Sequence, residues 1–152
     1  MKKLMLTLFT IALFASANAQ DIKWMTLDEA LTAQKSNPKP IFMEVYTNWC
    51  GECKKMDKKT FKDKKLAAFI SENYYAVKFN AESNVEVTYK GRKYSNPEFD
   101  ATKKAKAKNA THDFVKLLKI DSYPTIVILE GQGEVSNTFT GFRTAAQLLP
   151  EL

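Results

Sequence analysis

The segment Ile41 to Met56, "IFMEVYTNWCGECKKM", constrains the fold more than any other part of the chain. Ile41 to Tyr46 is a nearly continuous apolar run of strand length, as expected of a central strand covered on both faces. Glu44 is its only charged residue. Cys50 and Cys53, the only two cysteines in the chain, follow at once. From Cys50 the pattern turns helical to about Lys59. A buried strand therefore runs straight into a helix that opens on a C-x-x-C pair.

The flanking segments supply the rest of an α/β domain. Thr26-Leu27-Asp28-Glu29 reads as a capping box that opens a helix through about Ser36, stopped by Asn37-Pro38-Lys39-Pro40. A second amphipathic helix is expected over Asp63 to Ser71. Tyr74 to Asn80, "YYAVKFN", closes a strand–helix–strand unit, which implies parallel pairing. Residues 81–110 are the least readable. Within them "VEVTYKG" alternates like a hairpin arm, and "RKYSNPEFDATKKAKAKNA" reads as an exposed polar insertion. Asn109-Ala110-Thr111 matches a glycosylation sequon but suits a helix start better, for a helix from Thr111 to Leu118. "DSYPTIVILEGQGEVSNTFTG" has the strand–turn–strand pattern of a hairpin, and "TAAQLLPEL" ends on a short helix. No internal repeat, heptad run or linker is present.

The N-terminus, "MKKLMLTLFTIALFASANAQ", has the two lysines, short apolar run and Ala-Asn-Ala of a cleaved signal peptide over residues 1–19. The apolar run is too short to span a membrane, which takes about 20 residues. A single domain over 20–152 is expected, exported to the periplasm or beyond, with no stable membrane anchor. The chain is 45% hydrophobic and 26% charged, with ten Phe and six Tyr, enough for a globular core. Removal of Lys2 and Lys3 lowers the net charge from +6 to +4. The remaining lysines are mixed with acids and accompany no nucleic-acid motif, so they read as solvated faces.

Three chemistries use a C-x-x-C pair. A zinc site needs about four ligands, and the chain adds only His112 to the two cysteines. Covalent haem needs His directly after the second Cys, where Lys54 stands. A structural disulfide closing so short a loop would stabilise by only about 2 kcal/mol, against about 5 kcal/mol for a 100-residue loop. A redox pair needs the opposite property: two sulfurs that exchange without backbone motion. At a helix start the unsatisfied N–H groups and the dipole stabilise a Cys50 thiolate. The redox reading is therefore preferred, with no cofactor or metal beyond the Cys50–Cys53 pair.

These residues resemble the active-site segment of the thioredoxin superfamily, whose hallmark is W-C-x-x-C. "VKFN", "SYPT", "TIVILEGQGEV" and Gly141 resemble further elements of that family in the same order. "VYTNWCGECKKMDKKTF" is similar to exported members and to the C-terminal domain of the reductant conductor DsbD. The resemblance implies a thioredoxin-like α/β fold, a central mixed sheet flanked by helices, with an insertion around 81–110. It implies a protein-disulfide reductase or isomerase, monomeric, acting on protein or peptide disulfides and supplied by a DsbD-type membrane donor.

By that resemblance Cys50 is the attacking, more exposed thiolate and Cys53 the resolving thiol, with Trp49 beside them. Glu44 stands where the family places a buried acid. Desolvation would raise its pKa and let it relay the Cys53 proton, unless strand twist brings it to solvent. Lys78 either pairs with that acid or snorkels to the surface. Pro124, after Tyr123, matches the family's cis-proline, which together with residue 123 binds substrate as an added strand. Tyr123 replaces the usual Thr or Ile and should narrow that groove. Gly51-Glu52 replaces the Gly-Pro of cytosolic thioredoxin. The negative Glu52 beside the thiolate points to a reducing pair. The competing reading is a non-catalytic module that holds a peptide in the same groove and contacts it through 81–110.

Overall fold

The computed structural model describes residues 21–152, so the expected leader over 1–19 lies outside the described residues. Helix α1 (Leu27–Ser36) starts where the capping box predicts. The Thr26 hydroxyl accepts the Glu29 amide, and the Glu29 carboxylate accepts the Thr26 amide at 2.8 Å. Strand β1 (Ile41–Tyr46) leads into α2 (Gly51–Lys58) and a 3-10 turn at Thr60–Lys62. Helix α3 (Lys64–Asn73) is capped by Asp63, whose carboxylate accepts the amides of Lys65 and Leu66. Strand β2 (Tyr75–Asn80), the β3 (Val87–Tyr89) and β4 (Arg92–Tyr94) hairpin, and helix α4 (Asp113–Leu117) follow. The chain ends on β5 (Thr125–Glu130), β6 (Glu134–Thr140) and the short α5 (Ala145–Leu148).

The central sheet is mixed, in the order β2-β1-β5-β6. β1 and β2 run parallel, with Glu44 opposite Lys78. β5 is antiparallel to both β1 and β6, with Val45 opposite Thr125. Met25 adds a parallel bridge to Val77 at the outer edge of β2. Because side chains alternate along a strand, the sheet divides the core in two. Ile41, Met43, Val45, Val77, Phe79, Val127 and Leu129 pack on one face with Leu27, Ala30, Phe114 and the hairpin. Phe42, Ala76, Ile126, Ile128 and Phe139 pack on the other with Met56 of α2 and Leu66, Ala67 and Ile70 of α3.

Within residues 81–110 the expected hairpin arm forms, and 92–110 is less exposed than an insertion was expected to be. The β3–β4 hairpin belongs to the first core: Val87 and Tyr89 are buried, and Tyr94 packs against them. The Phe114 ring lies 5.0 Å from Tyr89 and 6.1 Å from Tyr94. Tyr89 donates its hydroxyl hydrogen to the Gly133 carbonyl. Gly133 has φ +79°, and a Cβ there would come within 2.8 Å of the Tyr89 ring, so only glycine fits. The alternation of "VEVTYKG" marks this hairpin arm, but it does not reveal that Val87 and Tyr89 are core. Buried Asn96 ties the segment down, donating to the carbonyls of Ser83 and Ala110. The longest unbroken exposed run of the segment is 101–108.

Helix α4 begins two residues later than Thr111. Buried His112 is its N-cap: Nδ1 accepts the Phe114 amide at 3.1 Å, and Nε2 contacts the Val85 carbonyl at 2.7 Å. A ring that accepts at Nδ1 donates at Nε2, which fixes its tautomer. Asn109, expected near the helix start, closes the loop before it instead.

Candidate active site

Cys50 is the N-cap of α2. Its backbone is still extended, and its Sγ accepts the Cys53 amide at 3.1 Å, as a capping side chain does. Cys53 sits in the first turn. The two are disulfide-bonded, with Cα atoms 5.4 Å apart. Both residues are buried, Cys50 at 4% exposure and Cys53 at 2%. The position follows from the fold, since β1 is buried on both faces and delivers Cys50 to the carboxyl end of the sheet.

The antiparallel pairing of β1 with β5 brings residues after Val45 opposite residues before Thr125. Tyr123 and Pro124 therefore stand at the cysteine end, and the Trp49 and Tyr123 rings meet edge to face at 6.0 Å. The Tyr123–Pro124 bond is cis. The Pro124 carbonyl accepts the Gly141 amide at 2.8 Å, anchoring this loop to the end of β6. Trp49 is held from the other side. Its Nε1 donates to both carboxylate oxygens of Glu82 at 3.0 Å. The Lys108 ammonium lies 4.7 Å over its ring, a cation–π contact.

A polar cluster lies under α2. Glu44 shares its strand face with Phe42, so its side chain points toward the α2–α3 layer, where Cys53 and Met56 are buried. Glu44 has no solvent exposure. Lys78 Nζ stands 3.1 Å from its Oε2, yet neither Glu44 oxygen accepts a well-formed hydrogen bond among the described residues. That ammonium donates to Asp57 of α2, and its charge also sits 5.1 Å over the Tyr46 ring. Burial pushes the Glu44 pKa up to about 7; the Lys78 charge opposes this shift and Asp57 reinforces it. Burial alone would lower the pKa of Lys78, but the Glu44 and Asp57 carboxylates hold it above its ordinary value.

Glu44 and Lys78 thus meet, and Cys50, Trp49, Tyr123 and Pro124 gather at one end of the sheet. Sequence reasoning missed Asp57, Glu82 and Lys108. Asp57 left a readable signal: it lies four residues after Cys53, on the same helix face. Glu82 and Lys108 left none, because only the folded insertion brings them to Trp49. A cleft of about 530 Å³ is lined by Leu27, Tyr46, Lys78, Phe79 and Val87 and includes neither cysteine.

Among known proteins, residues 27–152 match the family model of the thioredoxin-like domain. The chain is 27% identical over 138 residues to the thiol:disulfide interchange protein DsbD of Yersinia pestis. That match covers 89% of this chain and 19% of DsbD, so the chain spans about a fifth of this relative's length. Among solved structures it is similar to the DsbH oxidoreductase, with a TM-score of 0.62 at 19% identity, covering 99% of this chain and 90% of the other. It is also similar to the oxidised C-terminal domain of DsbD from Neisseria meningitidis, with a TM-score of 0.54 at 19% identity, covering 81% and 86%. The fold, the C-x-x-C helix start and the match over 27–152 agree: the chain belongs to the thioredoxin-like domain family.

Proposed function

We propose that this protein is an exported thiol–disulfide oxidoreductase that reduces or isomerises disulfides in other polypeptides. The observation that carries the reading is Cys50 as the cap of α2, its sulfur accepting the Cys53 amide. A thiolate at that atom gains the same hydrogen bond and the positive end of the helix. In the reduced protein the Cys50 thiolate attacks one sulfur of a substrate disulfide. A Cys50–substrate disulfide forms and one substrate thiolate leaves. Cys53 then loses its proton and attacks the Cys50 sulfur, releasing the second substrate thiolate and closing Cys50–Cys53. Two electrons pass to the substrate, whose two sulfurs leave as thiolates and take up protons from solvent; the one proton released by the protein is that of Cys53.

Glu44, buried on the α2 side of the sheet, is proposed to take the Cys53 proton, directly or through water, because its raised pKa lies in the range where exchange occurs. Lys78 holds that carboxyl in place. Tyr123 and Pro124 are proposed to line the substrate strand beside Trp49. Glu52 lies in the first turn of α2 and competes with the Cys50 thiolate for the helix's positive end, favouring a reducing pair. The cycle needs a two-electron dithiol donor, and a DsbD-type membrane protein fits an exported, periplasmic reductase.

The test is direct. The reduced protein should reduce insulin disulfides, and Cys53→Ser should accumulate a mixed disulfide on Cys50 that Cys50→Ser cannot form. No insulin reduction and no mixed disulfide would overturn the reading. A partner retained after both cysteines are replaced would favour a binding module.

A further inference from the structure

Residues 101–108, "ATKKAKAK", carry four lysines and no acid, and every one of them is exposed. The segment is nevertheless fixed at its base. The Asp100 amide donates to Asn109 Oδ1 and Asn109 Nδ2 donates to the Asp100 carbonyl, both at 2.9 Å. Asn96 clamps the far side by donating to Ser83 and Ala110. Lys103 folds the loop on itself by donating to the Lys108 carbonyl at 3.1 Å.

The lysines of this loop make no close ion pair among the described residues, although the Asp100 carboxylate acts on the Lys103 charge. The two acids before it are engaged: Glu98 lies 3.6 Å from Lys116, and Asp100 accepts both the amide and the hydroxyl of Thr102. Among the described residues, Lys103, Lys104, Lys106 and Lys108 have no carboxylate within ion-pair distance. The run ends at the site itself, where Lys108 sits over Trp49, the residue before Cys50. Glu82, the acid that accepts the indole N–H of that ring, makes no ion pair with Lys108.

We infer that this loop is a docking surface for an acidic stretch of polypeptide flanking the disulfide that Cys50 attacks. The inference deepens the thiol-exchange reading and rests on it. Charge complementarity selects the partner chemistry: ammonium groups without ion pairs, carried on an anchored loop, attract carboxylates and steer their approach. Placement selects a polypeptide over other anions, because whatever the loop gathers is delivered beside the reactive sulfur. Lipid headgroups and nucleic acids bring no disulfide there. Anchoring the loop at both ends lowers the ordering cost of docking.

The experiment compares two disulfide-linked peptides of equal length around one cystine. One has Asp and Glu flanking the disulfide; in the other these are Ser and Gln. Each reacts in single turnover with the pre-reduced full protein at low and high salt. The acidic peptide should react on the order of tenfold faster at low salt, and the ratio should fall toward one when the Debye length shrinks to about 3 Å in 1 M salt. Replacing Lys104→Glu and Lys106→Glu together should invert the preference. Both positions are exposed, and the ratio compares two substrates within one variant, so it is independent of how much protein is active. Equal rates for the two peptides, or a preference that survives the charge reversal, overturn the docking inference and leave thiol exchange standing. No reduction of either peptide overturns thiol exchange, and the docking inference with it.

Discussion

The two faces of the central sheet are built by different rules. The face under α1, α4 and the β3–β4 hairpin is packed with apolar side chains, and its buried His112 uses both ring nitrogens. The face under α2 and α3 is as apolar at Phe42, Ile126 and Ile128, yet it buries Glu44 with neither oxygen well hydrogen-bonded. A carboxyl in that setting costs free energy that an apolar side chain would not. Only the face beneath the cysteine helix carries this cost. The proposed proton transfer from Cys53 would account for a carboxyl held at that cost, and the opposite face packs without one.

The largest effect should come from breaking the apolar face. Phe114 is fully buried against Phe79, Tyr89 and Tyr94. Phe114→Ala should cost about 3–5 kcal/mol in urea unfolding. A loss under about 1 kcal/mol would mean that the hairpin and α4 do not share one core.

Glu44→Gln probes the other face, and its sign is opposite. The folded-state pKa of Glu44 is raised above its unfolded value of 4.5 to about 7. Below both values the group is protonated in either state and contributes nothing. As pH rises from 4.5 to 7 the unfolded chain ionises first, so the native state loses stability, by on the order of 2–3 kcal/mol. Glu44→Gln should flatten the stability curve across that window and be the more stable protein at pH 8, while shifting the pH dependence of thiol exchange. A curve still sloping as in the native protein would remove Glu44 from both roles.

The smallest effect belongs to Asp57, which is partly exposed, so its charge is screened. Asp57→Asn should change stability by less than about 1 kcal/mol. It should also lower the pH midpoint of the Glu44-dependent step, because Asp57 raises the Glu44 pKa. An unmoved midpoint would uncouple Asp57 from the site.

The parts legible in the sequence were those with a local code. The Thr26–Glu29 box, the apolar β1 run, the C-x-x-C at a helix start and the 125–140 hairpin each state their structure within a few residues. Glu44 was legible as a breach in an apolar run, although whether Lys78 reached it was not. What stayed hidden depends on contacts between distant segments. The β3–β4 hairpin shows its arm in the alternation of "VEVTYKG", but not its burial, which depends on Phe114 and Gly133 meeting Tyr89. His112 caps α4 through a ring nitrogen, a role for which sequence patterns favour Ser, Thr, Asp or Asn. Lys108 reaches Trp49 only after Asp100 and Asn109 close their loop.

The central claim is that Cys50 and Cys53 form a reducing dithiol, and equilibration of the protein against a series of glutathione redox buffers, read by thiol alkylation, tests it most directly. Glu52 in the first turn of α2 predicts a midpoint nearer thioredoxin's, about −270 mV, than DsbA's, about −120 mV. A midpoint near about −180 mV would make disulfide isomerisation the better description, and one close to about −120 mV would make the protein an oxidant and contradict the account.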